Sequence, residues 1–207
     1  MIVGANVAWY VDRAGGLIAF GLVTLSVVLG LLLSGRARSS WPRFALEDVH
    51  GFVGLLAGAF IAIHGLGVLL DGYFHFTVAD VLVPGLGPYR PLATALGIVA
   101  AELLLALAVT NRVRGRLSYR FWRRAHYLNF AVWSLALVHG IAAGSDTNTV
   151  WALGVYAIAA ASVSALTLWR VLRLRGVPQW ALRLWPATAG VVAGEVVLAL
   201  AFAVGGA

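Results

Sequence analysis

"HGFVGLLAGAFIAIHG", residues 50–65, has the composition of a membrane helix but carries a histidine near each end. The stretch contains no charged residue, and its apolar side chains predict a helix in the hydrocarbon core of a bilayer. Imidazole is costly in that environment unless something binds it. His50 and His64, fourteen positions apart, therefore mark a candidate ligand-binding helix.

The whole chain is unusually apolar. Of its 207 residues, 61% are hydrophobic and only 11% are charged, far from the composition of an average soluble domain. Long apolar runs recur along its length, which predicts an integral membrane protein. We expect an all-α fold, a six-helix transmembrane bundle forming a single domain over residues 1–207. The predicted spans are 14–34, 49–70, 92–110, 127–144, 149–169 and 188–206.

The positive charges are concentrated in a few loops, which indicates how the chain is oriented in the membrane. All fifteen basic residues are Arg, and thirteen of them lie in three loops between predicted spans. This positive-inside pattern places those loops in the cytoplasm and both termini outside, and it argues against nucleic acid as a partner. The loop at 71–91 then lies outside, where it can cap a bound group. The basic, Trp-rich stretch at 170–187 is typical of contact with membrane lipids in the inner headgroup region.

Four of the five histidines belong to two predicted helices. His50 and His126 each follow a basic loop and therefore begin at the cytoplasmic side, whereas His64 and His139 lie toward the outside. The fifth, His75, is in the outer loop. The pattern predicts two layers, each with one ring from the second span and one from the fourth.

Helix geometry supports the layers but leaves one question open. Fourteen residues rise about 21 Å and thirteen about 19.5 Å, so the layers are similarly spaced on both helices. Fourteen residues return to within about 40° of one face, whereas thirteen miss it by about 140°. There are three possible explanations: His126 stands at an irregular helix start, the fourth span is locally unwound, or the two sites face in different directions.

Ligand chemistry narrows the candidates. The chain has no Cys, and its only Met is Met1, which excludes thiolate-bound clusters, covalent c-type haem and an internal Met ligand. A closed zinc site usually has four converging ligands. Two facing histidines are instead the axial set of a b-type haem, so we expect two haems b. Small residues between His50 and His64 leave room for a macrocycle, although they also favour close helix packing.

These segments resemble a known family. The two His-bounded stretches, the second being "HYLNFAVWSLALVHG" (126–140) after "SYRFWRRAH" (118–126), are similar to the ferric reductase-like transmembrane domain family. It includes NADPH oxidases, ferric reductases and the haem-binding membrane subunit of the bacterial methionine sulfoxide reductase system. The opening "WYVDRAGGLIAFGLVTLSVVLGLL" (9–32) and "HGIAAGSDT" (139–147) also look like bacterial members, so the resemblance covers roughly residues 8 to 170.

The resemblance implies function and partners. It implies that His50 pairs with His126 on an inner haem and His64 with His139 on an outer haem, in a bacterial plasma (inner) membrane. Many family enzymes continue into a cytoplasmic FAD- and NADPH-binding module, but we find no Gly-rich dinucleotide loop in this chain. We therefore expect an oxidoreductase subunit that takes electrons from a separate flavoprotein reductase (FAD or FMN) or from a quinol, and delivers them to an extracytoplasmic acceptor.

Charged residues complete the candidate site. Haem propionates favour Arg, so Arg90 in the outer loop and Arg123 and Arg124 in the second basic loop are candidate haem-binding residues. For the inner arginines, topology signalling or lipid contact is an equal alternative. Glu102 and Glu195 lie within predicted spans and are candidates for proton relay or quinol binding, or are simply hydrogen-bonded to a neighbouring helix.

Three alternatives stay open at this stage. The first is a quinol-linked cytochrome b, including a superoxide-oxidising type. The second is a transporter of metal ions or protons that uses the histidines and Glu102. The third is a structural subunit in which the histidines only pack. A visible spectrum of the purified protein separates the haem proteins from the other two.

Overall fold

The computed structural model describes residues 2–35 and 40–176, with no account of the side chains of residues 2–6. All regular structure in these residues is helical, which confirms the all-α prediction for the part described. The elements are α1 (Ile2–Ser34), α2 (Arg43–Leu70), α3 (Val78–Leu82), α4 (Pro91–Arg112), a 3₁₀ turn (Arg114–Arg116), α5 (Tyr119–His126), α6 (Asn129–Ala143) and α7 (Val150–Leu174).

Four of the described helices are long and apolar enough to cross a membrane. They are Val7–Ser34 within α1, Arg43–Leu70, Pro91–Arg112 and Val150–Leu174. They coincide with the first, second, third and fifth predicted spans and indicate a multi-pass membrane protein. The sixth predicted span at 188–206, with Glu195, and the stretch from 177 to 187 lie outside the described residues.

The fourth predicted span, 127–144, corresponds to α6, which begins two residues later than predicted. A separate short helix, α5, precedes it and ends at His126, and α6 begins at Asn129. The junction is a tight turn, in which the Tyr127 N–H donates to the Arg124 carbonyl at 3.2 Å and the Leu128 N–H to the Ala125 carbonyl at 2.9 Å. With 15 residues, α6 rises about 22 Å, which is less than the hydrocarbon thickness of about 30 Å.

The described chain forms two compact units. The first contains residues 2–20 and 55–144, and the second contains residues 21–35, 40–54 and 145–176. Both α1 and α2 thus contribute one end to each unit. The prediction of a single domain over residues 1–207 stays a prediction.

In the first unit, α4 packs against α6. The buried face of α6 includes Trp133, Leu137 and Ile141, which recur every fourth residue and so lie on one side of the helix. Ala100 and Leu107 are the buried residues of α4. In lipid such close packing replaces the hydrophobic effect as the source of helix association. The contact holds α6, the helix that carries His139.

In the second unit, the end of α7 is fastened to the end of α1. The guanidinium of Arg173 donates a hydrogen bond of 2.8 Å to the Gly35 carbonyl, just past the last turn of α1. The Trp169 ring lies against Gly35 so closely that a Cβ there would fall 2.5 Å from it. A cation at a helix C-terminus is favourable because it faces the negative end of the helix dipole.

The loop over residues 71–91, predicted to lie outside the membrane and called the outer loop below, has its own short helix. Thr77 and Asp80 form a capping box at the start of α3, each side chain accepting a hydrogen bond from the backbone N–H of the other. Hydrogen bonds from the N–H and the hydroxyl of Thr77 hold the pKa of Asp80 below its usual value. Farther along the loop, Tyr89 packs on Phe74 with ring centroids 4.5 Å apart. The loop is therefore internally ordered.

Candidate functional site

The structure brings His64 and His139 together within the first unit. His64 lies near the end of α2 and His139 on α6, and their ring centroids are 6.2 Å apart with planes inclined by 69°. Both rings are partly buried. These are the two histidines that the sequence predicts for the outer layer.

The distance between the rings fits one metal ion between them. With metal–nitrogen bonds of about 2.0 Å, and about 1.2 Å from nitrogen to ring centre, two imidazoles on opposite sides of a metal have centroids roughly 6.3 Å apart. The observed 6.2 Å matches this value. The separation of the two rings therefore fits ligation of one haem iron by both histidines, and it equally fits a direct edge-to-face contact between the rings.

In both rings Nδ1 is hydrogen-bonded, which leaves Nε2 available to bind a metal. His64 Nδ1 lies 2.9 Å from the Asp12 carbonyl oxygen on α1, and His139 Nδ1 lies 2.8 Å from the Ala93 carbonyl oxygen on α4. A carbonyl only accepts, so each Nδ1 carries the proton that it donates. In a neutral imidazole Nε2 then bears the lone pair, which is the form that binds a metal.

A glycine four residues beyond each carbonyl lets the ring approach. A Cβ at Gly16 would lie 3.0 Å from His64 Nδ1, and a Cβ at Gly97 would lie 2.7 Å from His139 Nδ1. Positions four apart lie one above the other on a helix, so the missing side chain clears the path to the carbonyl below it. Glycine costs a helix interior about 1 kcal/mol relative to alanine.

His50 is held by the same arrangement in the second unit. Its Nδ1 lies 3.0 Å from the Ser26 carbonyl oxygen and 3.4 Å from the Ser26 hydroxyl. A Cβ at Gly30, again four residues on, would lie 3.5 Å from the ring. Three of the four candidate ligands thus share one local structure, a backbone carbonyl followed by a glycine one turn later.

The supporting residues on α1 were not identified from the sequence, although a signal was present. Gly16 and Gly30 are fourteen residues apart, the same separation as His50 and His64. The glycine spacing on α1 therefore matches the histidine spacing on α2. A search of the sequence for metal ligands alone does not detect this match, because glycine is not a ligand.

His126 has different surroundings. It is the last residue of α5, its ring stacks on Trp122 at 5.2 Å with planes inclined by 25°, and its Nδ1 lies 3.5 Å from Asn129 Nδ2. His50 and His126 belong to different units, so the inner pair stays a prediction.

The tight turn after His126 bears on the thirteen-residue spacing. Each residue wound at three per turn adds about 20° over a regular α-helix. The turn at Tyr127 and Leu128 therefore rotates His126 toward the face of His139, recovering part of the missing angle. Of the three explanations for that spacing, the geometry favours irregular winding next to His126.

Arg90 and Tyr89 fasten the outer loop to the end of α6. The Arg90 guanidinium donates to the Ala142 carbonyl at 2.6 Å, and the Tyr89 hydroxyl donates to the Ala143 carbonyl at 3.1 Å. These carbonyls belong to the last turn of α6, one turn beyond His139. Arg90 also caps α4 with φ of 39°, a strained value for a residue other than glycine. Its predicted contact with a propionate stays a prediction.

The other candidates are more exposed. Arg123 lies on the surface of α5 with a guanidinium nitrogen 3.4 Å from the Tyr119 hydroxyl, and Arg124 is also exposed. Glu102 lies on an exposed face of α4. His75 lies in the outer loop with φ of 49°. None of these positions tests the proposed roles in haem or quinol binding.

Within residues 2–35 and 40–176, no three or more His, Cys, Asp or Glu side chains converge as a metal-binding group. An axial pair of histidines contains fewer ligands than such a group. Comparison with protein-family models, with curated proteins and with solved structures finds no match to this chain. The resemblance to the ferric reductase-like family stays a prediction.

Proposed function

We propose that this protein carries electrons across a membrane through two b haems, each held by two histidines. The observation that supports the proposal is the His64–His139 pair, with rings 6.2 Å apart and both Nδ1 atoms hydrogen-bonded to backbone carbonyls. The resemblance to ferric reductase-like proteins points the same way.

The residues of the outer site have distinct tasks. His64 and His139 would hold the haem iron through Nε2. The carbonyls of Asp12 and Ala93 orient the two rings and fix the proton on Nδ1. A haem held in this way supplies a one-electron couple and has no open coordination position. An acceptor would therefore react at the haem edge.

The direction of transfer follows from the arginines. The three basic loops hold thirteen of the fifteen Arg, which argues that His50 and His126 face the cytoplasm. A cytoplasmic flavoprotein or a quinol would then supply electrons to the inner haem, and an extracytoplasmic acceptor would take them from the outer haem. Ferric complexes, dioxygen and a partner reductase are the candidate acceptors.

A groove favours a second candidate, a quinol-linked cytochrome b. It lies within the first unit between the outer parts of α1 and α2, has a volume of about 460 Å³, and is apolar. Its lining residues are Val7, Ala8, Val11, Ile63, Leu66, Gly67 and Leu70. Two of them, Ile63 and Leu66, lie one and two residues from His64 on α2, so a quinone ring in this groove would lie at the same level along the helix axis as the outer site.

A spectrum with a haem assay tests the proposal. We expect the purified protein to show low-spin b-type bands in oxidised and reduced forms, and two haems per chain in a pyridine haemochrome assay after reconstitution. A colourless protein with bound zinc or copper would refute the proposal. Stoichiometric reduction by a quinol without flavoprotein would favour the second candidate.

A further inference from the structure

His64 contacts a carboxylate as well as a carbonyl. Its Nδ1 lies 2.6 Å from Oδ1 of Asp12 and 2.9 Å from the carbonyl oxygen of the same residue. The carbonyl takes the aligned hydrogen bond. The carboxylate oxygen is buried and has no aligned hydrogen-bond donor among the described residues, and the imidazole nitrogen lies 2.6 Å from it.

Helix packing builds this contact. A Cβ at Gly67, three residues after His64, would fall 2.7 Å from the Asp12 backbone nitrogen. A Cβ at Gly15 would fall 3.3 Å from the His64 backbone. Glycines on both helices therefore allow α1 and α2 to approach at this level, and the approach carries the Asp12 side chain to the ring. The contact is a consequence of backbone packing and does not depend on a flexible side chain reaching across.

His139 has a different partner on the other side of the candidate site. Its Nδ1 binds the Ala93 carbonyl at 2.8 Å, which is a neutral acceptor. A carboxylate beside the Nδ1–H of a ligating histidine raises the basicity of the ring and its electron donation to the metal. A negative charge near the metal also favours the more positive oxidation state, and it does so strongly where water is scarce.

We propose that Asp12 is a positioning residue that lowers the reduction potential of the outer haem through His64. The inference rests on the proposed function and deepens it. A lowered potential makes the outer haem a stronger one-electron reductant, which suits acceptors that are hard to reduce, such as dioxygen or stable ferric chelates. The carboxylate acts by its charge, and no proton transfer is required.

Redox titration of matched variants tests the proposal. Asp12→Asn keeps the shape and the carbonyl hydrogen bond but removes the charge, Asp12→Glu keeps the charge, and Asp71→Asn removes another carboxylate from the same end of α2. We expect Asp12→Asn to raise the midpoint potential of one haem and leave the other unchanged. Asp12→Glu should keep the midpoint potential of that haem close to the wild-type value. Asp71→Asn should leave both potentials at the wild-type values.

Two further measurements distinguish a failure of this inference from a failure of the proposed function. The haem that shifts should be the one lost in His64→Ala, since the effect acts through that ligand. In the haem-free protein, the ¹⁵N signal of His64 Nδ1 should move in Asp12→Asn, which reports the contact even if that variant binds haem poorly. Unchanged potentials in Asp12→Asn with two haems bound would overturn this inference alone. A wild-type protein that binds no haem would overturn the proposed function instead.

Discussion

Gly97 on α4 and His139 on α6 are in such close contact that a Cβ at position 97 would fall 2.7 Å from the ring nitrogen Nδ1. The absence of a side chain at this position therefore determines where the ring lies. It also lets Nδ1 reach the Ala93 carbonyl one turn earlier on the same helix.

Gly97→Ala should displace the His139 ring and reduce occupancy of the outer haem severalfold. Alanine favours a helix over glycine by about 1 kcal/mol, so loss of helix propensity cannot explain the defect. Haem content and circular dichroism measure the two effects separately. Gly154→Ala on α7, where a new Cβ meets nothing within 4 Å, is the matched control and should retain both haems. Full occupancy in Gly97→Ala would contradict the proposed geometry.

The four ligand histidines should fall into two pairs by phenotype. His64→Ala and His139→Ala should each lose the same haem, because their ring centroids lie only 6.2 Å apart. His50→Ala and His126→Ala should each lose the other haem. Low-temperature visible spectra of the four variants measure this, with His75→Ala as a control that keeps both haems. A shared phenotype for His64 and His126 would refute the layers.

Arg90→Ala and Tyr89→Phe separate two roles of the outer loop. Each variant removes one hydrogen bond to the end of α6, at a cost of about 1 kcal/mol for such a partly exposed bond. If Arg90 also contacts a propionate, only Arg90→Ala should change the midpoint potential of the outer haem. Thermal unfolding and redox titration of both variants make the comparison. If the midpoint potential of the outer haem is the same in both variants, Arg90 only holds the loop against the end of α6 and does not contact a propionate.

The capping box of α3 predicts a pH effect in the outer loop. The pKa of Asp80 is lowered from 3.8 by its hydrogen bonds to Thr77. A depressed folded-state pKa means that the contribution to stability is present above the unfolded-state value and is lost as pH falls through the folded-state value. Thr77→Val removes the hydroxyl but keeps the backbone N–H, so it should return the pKa of Asp80 only part of the way toward 3.8, as measured by the carboxyl ¹³C shift during acid titration. An unchanged titration would show that the Thr77 hydroxyl does not donate to Asp80 in solution.

Vesicles of known orientation test the direction of electron flow. Thirteen of the fifteen Arg lie in the three loops predicted to be cytoplasmic. NADPH alone should not reduce the protein, whereas a flavin reductase with its cofactor on the cytoplasmic face should reduce the inner haem first. A membrane-impermeant ferric chelate should then reoxidise the haems only from the outer face. Reoxidation from the cytoplasmic face at an equal rate would rule out a transmembrane relay.

Apolar runs predicted the four membrane-capable helices of the described residues, because helix length and hydropathy are local properties. The histidine spacing placed His64 and His139 in one layer, and their ring centroids lie 6.2 Å apart, whereas their role as haem ligands stays a prediction. The break between α5 and α6 after His126 was harder to predict from the sequence. It depends on two residues that adopt a tight turn without any proline or glycine to announce it.

The partners of the rings were not predictable from the sequence. Asp12 lies at the start of a predicted span, where a carboxylate has an ordinary explanation as a flanking charge. Its contact with His64 arises only from how closely α1 and α2 pack, which Gly15 and Gly67 decide together. Backbone carbonyls such as that of Ala93 leave no trace in the sequence, since every residue carries one.

The order of the holding carbonyls along the chain bears on biogenesis. Asp12 precedes His64, Ser26 precedes His50 and Ala93 precedes His139, so each helix that orients a ring is synthesised before the ring itself. The carbonyl that each Nδ1 contacts is therefore already part of the nascent chain when its histidine is added. His139 on α6 is the last of these three histidines to be synthesised, so under the proposed function the outer haem would be bound only after α6 has been inserted.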